Sequence, residues 1–130
     1  MTVLVLAPHA DDEVLGMGGV IARFADEGRQ AVVAILTGHG KAKHPLWEPE
    51  LWDNIRREAR QSCAVLGVSE LISRELPAAC LDHVPAWEIN RVVNDVLMEV
   101  QPEEVYIPFI HDLHQDHQAI AYAPMVPCNT

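Results

Sequence analysis

A chain of 130 residues has room for one domain with a proper core, and 49% apolar residues mark it as globular rather than disordered. A net charge of −10 argues against a nucleic-acid partner, which would need a basic face. No stretch reaches the roughly 20 apolar residues of a membrane span, and no basic region precedes the N-terminal apolar run, which points to the cytoplasm.

Residues 2–7, TVLVLA, are apolar after Thr2 and predict a buried strand. From Val14 to about Glu27, apolar residues recur at helical spacing, with Gly28 as the C-cap. QAVVAILT (30–37) predicts a second buried strand, and GHGKAKHPLWEPE (38–50) a loop rich in glycine, proline and histidine. Residues 51–68 predict a helix ended by Gly67, 69–76 contain a third strand, and 87–100 form a helix stopped before Pro102. EEVYIPFI (103–110) predicts a fourth strand, followed by the histidine-rich HDLHQDHQAIAYA (111–123). Alternation of strand and helix with short connections predicts a Rossmann-like α/β fold: about four parallel strands with helices on both faces. Cys63, Cys80 and Cys128 are scattered and form no CxxC, so neither a zinc ribbon nor a disulfide framework is indicated.

Ligands of open parallel sheets collect beyond the carboxyl ends of the strands. Two polar clusters about 100 residues apart belong there. The first is His9, Asp11, Asp12 and Glu13, after strand one. The second offers His111, His114, Asp116 and His117, after strand four. His9 and Asp12 are close enough in sequence to reach one ion. Two histidines and a carboxylate plus a water describe a catalytic zinc site. A metal lowers the pKa of its water to about 7, Asp11 is a spare carboxylate to take the proton, and His114 can donate one to a leaving group or oxyanion. The plainer alternative is that Asp11 or Asp12 caps the next helix, with Glu13 in its first turn.

PHADDEVLGMGG (8–19) resembles the opening signature of the LmbE-like, or PIG-L, zinc-dependent N-acetylglucosaminyl deacetylases. HQDH (114–117) resembles their H-x-D-H motif, LTGHG (36–40) their T-x-G segment, and RREARQSCAVLGV (56–68) their helix ending in L-G-V. The similarity runs in order from residue 3 to about 121. It implies the LmbE-like fold and one Zn²⁺ per chain held by His9, Asp12 and His117. It implies Asp11 as general base and His114 as the group that stabilises the tetrahedral intermediate or protonates the amine. Asp116 would orient a neighbouring histidine, and Arg56 or Arg57 would meet substrate, a solvated helix face being the alternative for both arginines. The implied reaction is removal of acetyl from an N-acetylated amino sugar or its conjugate. A metal-dependent phosphoesterase, or a non-catalytic metal-binding or assembly domain, are the alternatives.

Ala10 replaces the usual proline of the motif, which leaves the ligands unaffected. The family is typically longer, so residues 1–130 are expected to be a single domain lacking the C-terminal part of the family fold. The tail YAPMVPCNT carries prolines where a helix would continue. A sheet with an uncovered edge favours self-association, so a homo-oligomer is expected. Trp47 and Trp52 flank the loop after strand two and could stack on a sugar ring, although core packing or an oligomer contact is the plainer use. His39, His44, His83 and His111 could add polar contacts near the site.

Overall fold

The structure is a computed structural model that describes residues 1–40 and 44–128. Among these, β1 (Thr2–Ala7), β2 (Gln30–Gly38), β3 (Glu70–Pro77) and β4 (Glu104–Tyr106) form one parallel sheet in the order β3-β2-β1-β4. Helices α1 (Asp12–Asp26), α2 (Pro49–Leu66) and α3 (Ala86–Val100) connect successive strands, and α4 (Gln115–Tyr122) and α5 (Met125–Cys128) follow β4. No helix among the described residues is long and apolar enough to cross a membrane.

The unbroken apolar runs become the central strands because both sheet faces are covered. Val3, Val5 and Ala7 face Ile21 and Phe24 of α1 and Ala59 of α2. Leu4 and Leu6 face the opposite way, toward Val93 and Val96 of α3 and Ile120 of α4. The α1–α2 pair is closed by Gly67, which ends α2 with φ +81°. A Cβ there would lie 2.8 Å from the Ala25 Cβ, so both backbone angle and space demand glycine. Gly28, expected as a cap, sits one residue beyond the α1 cap with φ +79°, and the Arg29 N–H closes the helix on the Phe24 carbonyl at 2.9 Å.

Two sequence expectations change. The fourth strand was expected over 103–110, but only Glu104–Tyr106 pairs. Pro108 has no N–H for a ladder, and among the described residues β4 has β1 alone beside it. The proline-marked tail does not end helical structure: α5 takes up Pro127 within its first turn, where no intrahelical N–H is needed. Of the loop expected at 38–50, residues 41–43 lie outside the described residues.

Strand order places the functional end of the fold. The chain runs from β1 outward through β2 to β3, then returns to β4 on the other side of β1. The crevice beyond the carboxyl ends of β1 and β4 is therefore the topological switch point. Residues 9–13 and 111–117 meet there.

Candidate active site

Burial of β1 up to Pro8 brings His9 to the sheet's edge, and the chain turns at once into α1. Asp11 occupies the N-cap of α1, yet its carboxylate makes no capping hydrogen bond. Its backbone is strained, with φ 131°. The Asp11 N–H donates to Glu13 Oε2 at 3.0 Å, and Glu13 is itself buried. Asp12 does not cap the helix end either: its Oδ2 accepts the His9 N–H at 2.9 Å. The capping alternative therefore does not account for these acids. Glu13 is what braces the turn, and it leaves the Asp11 side chain exposed.

Three donors converge on one point. Asp12 Oδ2 lies 3.4 Å from His9 Nδ1 and 3.2 Å from His117 Nε2. The donor atoms of His9, Asp12 and His117 all lie within 4.8 Å of one another, so the three could hold a metal ion. Ligand atoms about 2.0–2.2 Å from a tetrahedral ion sit about 3.3–3.6 Å apart, which these spacings approach. Their chemistry fits as well, because each histidine is tied down through its other nitrogen. His9 Nε2 meets Asp116 Oδ2 at 2.7 Å, and His117 Nδ1 meets Asp112 Oδ2 at 3.1 Å. A carboxylate only accepts, so those nitrogens carry the protons and the inner ones present lone pairs when the rings are neutral.

Asp116 is almost fully buried and also accepts the N–H groups of Ala79, at 2.6 Å, and Leu81, at 3.2 Å. Burial pushes its carboxyl up, but His9 and these two amides outweigh that and hold it below the usual range. Asp116 also falls in a second group of convergent donors, with His9 and His114. Three hydrogen bonds commit it to bracing His9 and the segment after β3. Burial alone would depress the His9 imidazole, whereas Asp116 and Asp12 raise it to about 9. The site therefore favours a positive charge at the His9 ring.

His114 is exposed and caps α4, with its Nδ1 accepting the Asp116 N–H at 3.1 Å. That bond leaves Nε2 to carry the proton. The His114 ring centroid lies 4.7 Å from that of His9 and 4.9 Å from that of His117. A cavity of about 400 Å³ is lined by His9, Asp11 and His114 together. On the other side of the cluster, a cavity of about 290 Å³ is lined by Asp12, Asp112 and His117 with Tyr106 and Phe109. A larger cavity, about 530 Å³, runs beside β3 and α3 and shares no residue with the cluster.

Asp112 escaped the sequence reading. Its signal was a carboxylate five residues before His117, inside a histidine-rich run. Glu13 escaped as a brace because an acid in a first turn reads as a dipole partner. The arginines are not brought to the cluster. Arg56 is ion-paired with Glu75 and Asp53, and Arg57 donates to Asn54 on an exposed face. Of the other histidines, His44 is buried and braces its loop, meeting the Ala78 carbonyl at 2.7 Å, while His83 and His111 are exposed. His39 Nε2 accepts the His44 N–H at 3.3 Å.

The chain is similar to proteins that share this arrangement of sheet and helices. It is 28% identical over 134 residues to the uncharacterized deacetylase YaiS of Escherichia coli K12, covering 98% of this chain and 68% of that protein. It is 28% identical over 128 residues to a probable N-acetyl-alpha-D-glucosaminyl L-malate deacetylase 2 of Bacillus cereus, covering 93% of this chain and 58% of that one. Among solved structures, the N,N'-diacetylchitobiose deacetylase of Pyrococcus horikoshii superposes with a TM-score of 0.81 at 27% identity, over 96% of this chain and 48% of that one. This chain thus spans about half to two-thirds of the length of these relatives. The family described as PIG-L, GlcNAc-PI de-N-acetylase, matches residues 4–126, from β1 into α5 and through both polar clusters, and the chain belongs to that family.

Proposed function

We propose that this chain is a zinc-dependent N-deacetylase that removes acetyl from an N-acetylated amino sugar or its conjugate. The observation that carries it is the convergence of His9, Asp12 and His117 at the switch point, with Asp11 and His114 lining one cavity beside them. The deacetylase names of the relatives support the reaction class, and the sugar in two of those names supports the substrate class.

His9 Nδ1, Asp12 Oδ2 and His117 Nε2 would hold one Zn²⁺ per chain. A divalent ion there supplies a Lewis acid that polarises a carbonyl and makes water easier to deprotonate. Asp116 and Asp112 fix the tautomers of the two histidines, so that lone pairs rather than protons face the ion. Asp11, exposed and uncommitted to capping, takes the proton of the attacking water. His114, with its proton on Nε2, donates a hydrogen bond to the oxygen of the tetrahedral intermediate and then protonates the departing nitrogen. Acetate and a free amine result.

The test is amine release from N-acetylglucosamine conjugates, with metal analysis of the same protein. His117→Ala is expected to lose the metal with one of its three ligands. Asp11→Asn is expected to retain the metal and lose about 100-fold or more in turnover, because an amide cannot accept the proton. Release of the metal from Asp11→Asn as readily as from His117→Ala would overturn the role given to Asp11. Wild-type protein that holds no divalent ion would overturn the whole reading.

A further inference from the structure

The cavity beside Asp11 and His114 has a mixed lining. Its ionisable groups are His9, Asp11 and His114. Its apolar wall is made of Trp47, Leu51, Trp52 and Ile55, with Ala78 also lining it. Positions 51, 52 and 55 belong to adjacent turns of α2, so the helix presents them together. Trp52 is buried and anchors the wall, with the Trp47 ring edge-on to it at 5.7 Å. Trp47 and Leu51 remain 38% and 40% exposed. Thr37 also lines the cavity, but its hydroxyl already donates to the Pro8 carbonyl at 2.6 Å. Among the described lining residues, this wall therefore carries no charged side chain to pair with a phosphate, a carboxylate or an ammonium; its polar side-chain atoms are the indole N–H groups of Trp47 and Trp52, and the buried Trp52 Nε1 makes no hydrogen bond there. An acetyl methyl, about the size of one water at roughly 30 Å³, fills little of a cavity of about 400 Å³.

We propose that this wall is a subsite for an uncharged apolar group joined to the scissile amide, a hydrocarbon chain or an aromatic ring. The group is carried either by the acyl moiety or by the aglycone of the leaving amine. This rests on the amidohydrolase reading above and narrows its substrates to amphipathic N-acyl amino sugars. Each methylene buried against the wall is worth about 0.8 kcal/mol, a rise of roughly fourfold in kcat/KM.

Two substrate series separate the two sources. One lengthens the acyl group from N-acetyl to N-octanoylglucosamine. The other keeps N-acetyl and changes a methyl β-glycoside for a phenyl one. Each is measured for turnover by wild type, Leu51→Ala and Leu51→Asp. Binding of the same compounds to EDTA-stripped protein is followed by tryptophan fluorescence, which needs no turnover. Leu51 is on the surface side of the wall, and thermal melts confirm that both variants fold. The expected result is a rise along one series, which identifies the source, with the long-to-short ratio collapsing toward one in Leu51→Asp. Tighter binding of the longer compound to stripped wild type but not to Leu51→Asp supports the subsite even with no turnover, and then the deacetylase reading alone fails. Equal turnover and equal binding across both series, or a ratio unchanged in Leu51→Asp, overturns the subsite.

Discussion

Glu13 shows how much one buried side chain can organise. Burial pushes its carboxyl above the usual range, and the Asp11 N–H pulls the other way. The bond to that N–H holds a strained backbone, φ 131°, at the residue assigned as general base. Glu13→Ala would leave the Asp11 N–H without its acceptor and open a void beneath α1. We expect it to cost about 2 kcal/mol or more in urea denaturation and more than tenfold in turnover. Glu13→Gln keeps one acceptor oxygen and should fall between Ala and wild type in both measurements. An Ala variant with wild-type turnover would show that Asp11 finds its place without help. Neighbouring residues differ in how far sequence alone discloses them. The meeting of His9 and Asp12 with the histidine-rich segment is legible because both clusters follow strands of one parallel sheet, and the resemblance of the HQDH motif is what pointed to His117 within it. Asp112 is not, since its task depends on the ring of His117 folding back over five residues. For Arg56 and Arg57, spacing on α2 cannot say which neighbour a long side chain will meet. Glu75, across on β3, captures Arg56.

Elements were legible where burial is two-sided and obscure where it is one-sided. β1 and β2 are covered on both faces, so their apolar runs and boundaries agree with the structure within a residue. The segment 103–110 is also largely apolar from Val105 onward, yet among the described residues it lies at a sheet edge where Pro108 and a single neighbour end pairing early. The α1–α2 contact depends on a residue whose importance the sequence does signal. Gly67 combines a left-handed backbone with a Cβ position 2.8 Å from Ala25. Gly67→Ala should cost about 2 kcal/mol or more: roughly 1–2 for the left-handed angle, with the clash added. The measurement is the urea midpoint, and an accompanying Ala25→Gly substitution should recover part of the loss by removing the clash. A Gly67→Ala variant as stable as wild type would mean that α1 and α2 separate easily. The support of Ala10 and Ile55 around the site would then be looser than the fold suggests.

At the scale of the molecule, the sheet of the described residues has two edges, β3 and β4, and the β4 edge adjoins the site. Among the described residues, β4 pairs only with β1, over three residues. Beyond it Ile107 is 37% exposed, Phe109 68% and Leu113 94%, on one continuous stretch of chain. An open strand edge flanked by large apolar side chains is a template for another chain. Ile107 and Phe109 also line the cavity that contains Asp12 and His117, so whatever covers this edge also walls the proposed metal site. We expect the 130-residue chain to self-associate here, a second copy burying the edge about a two-fold axis. Sedimentation velocity should show a mass that rises with concentration, and Phe109→Asp should shift it toward the monomer. Because the same residues line the cavity beside Asp12 and His117, a second copy covering them would exclude water there, and specific activity should rise with protein concentration in wild type and stay flat and low in Phe109→Asp. A wild-type chain that stays monomeric throughout, with specific activity independent of concentration, would mean that the edge needs no cover and that the cavity walls within one chain suffice.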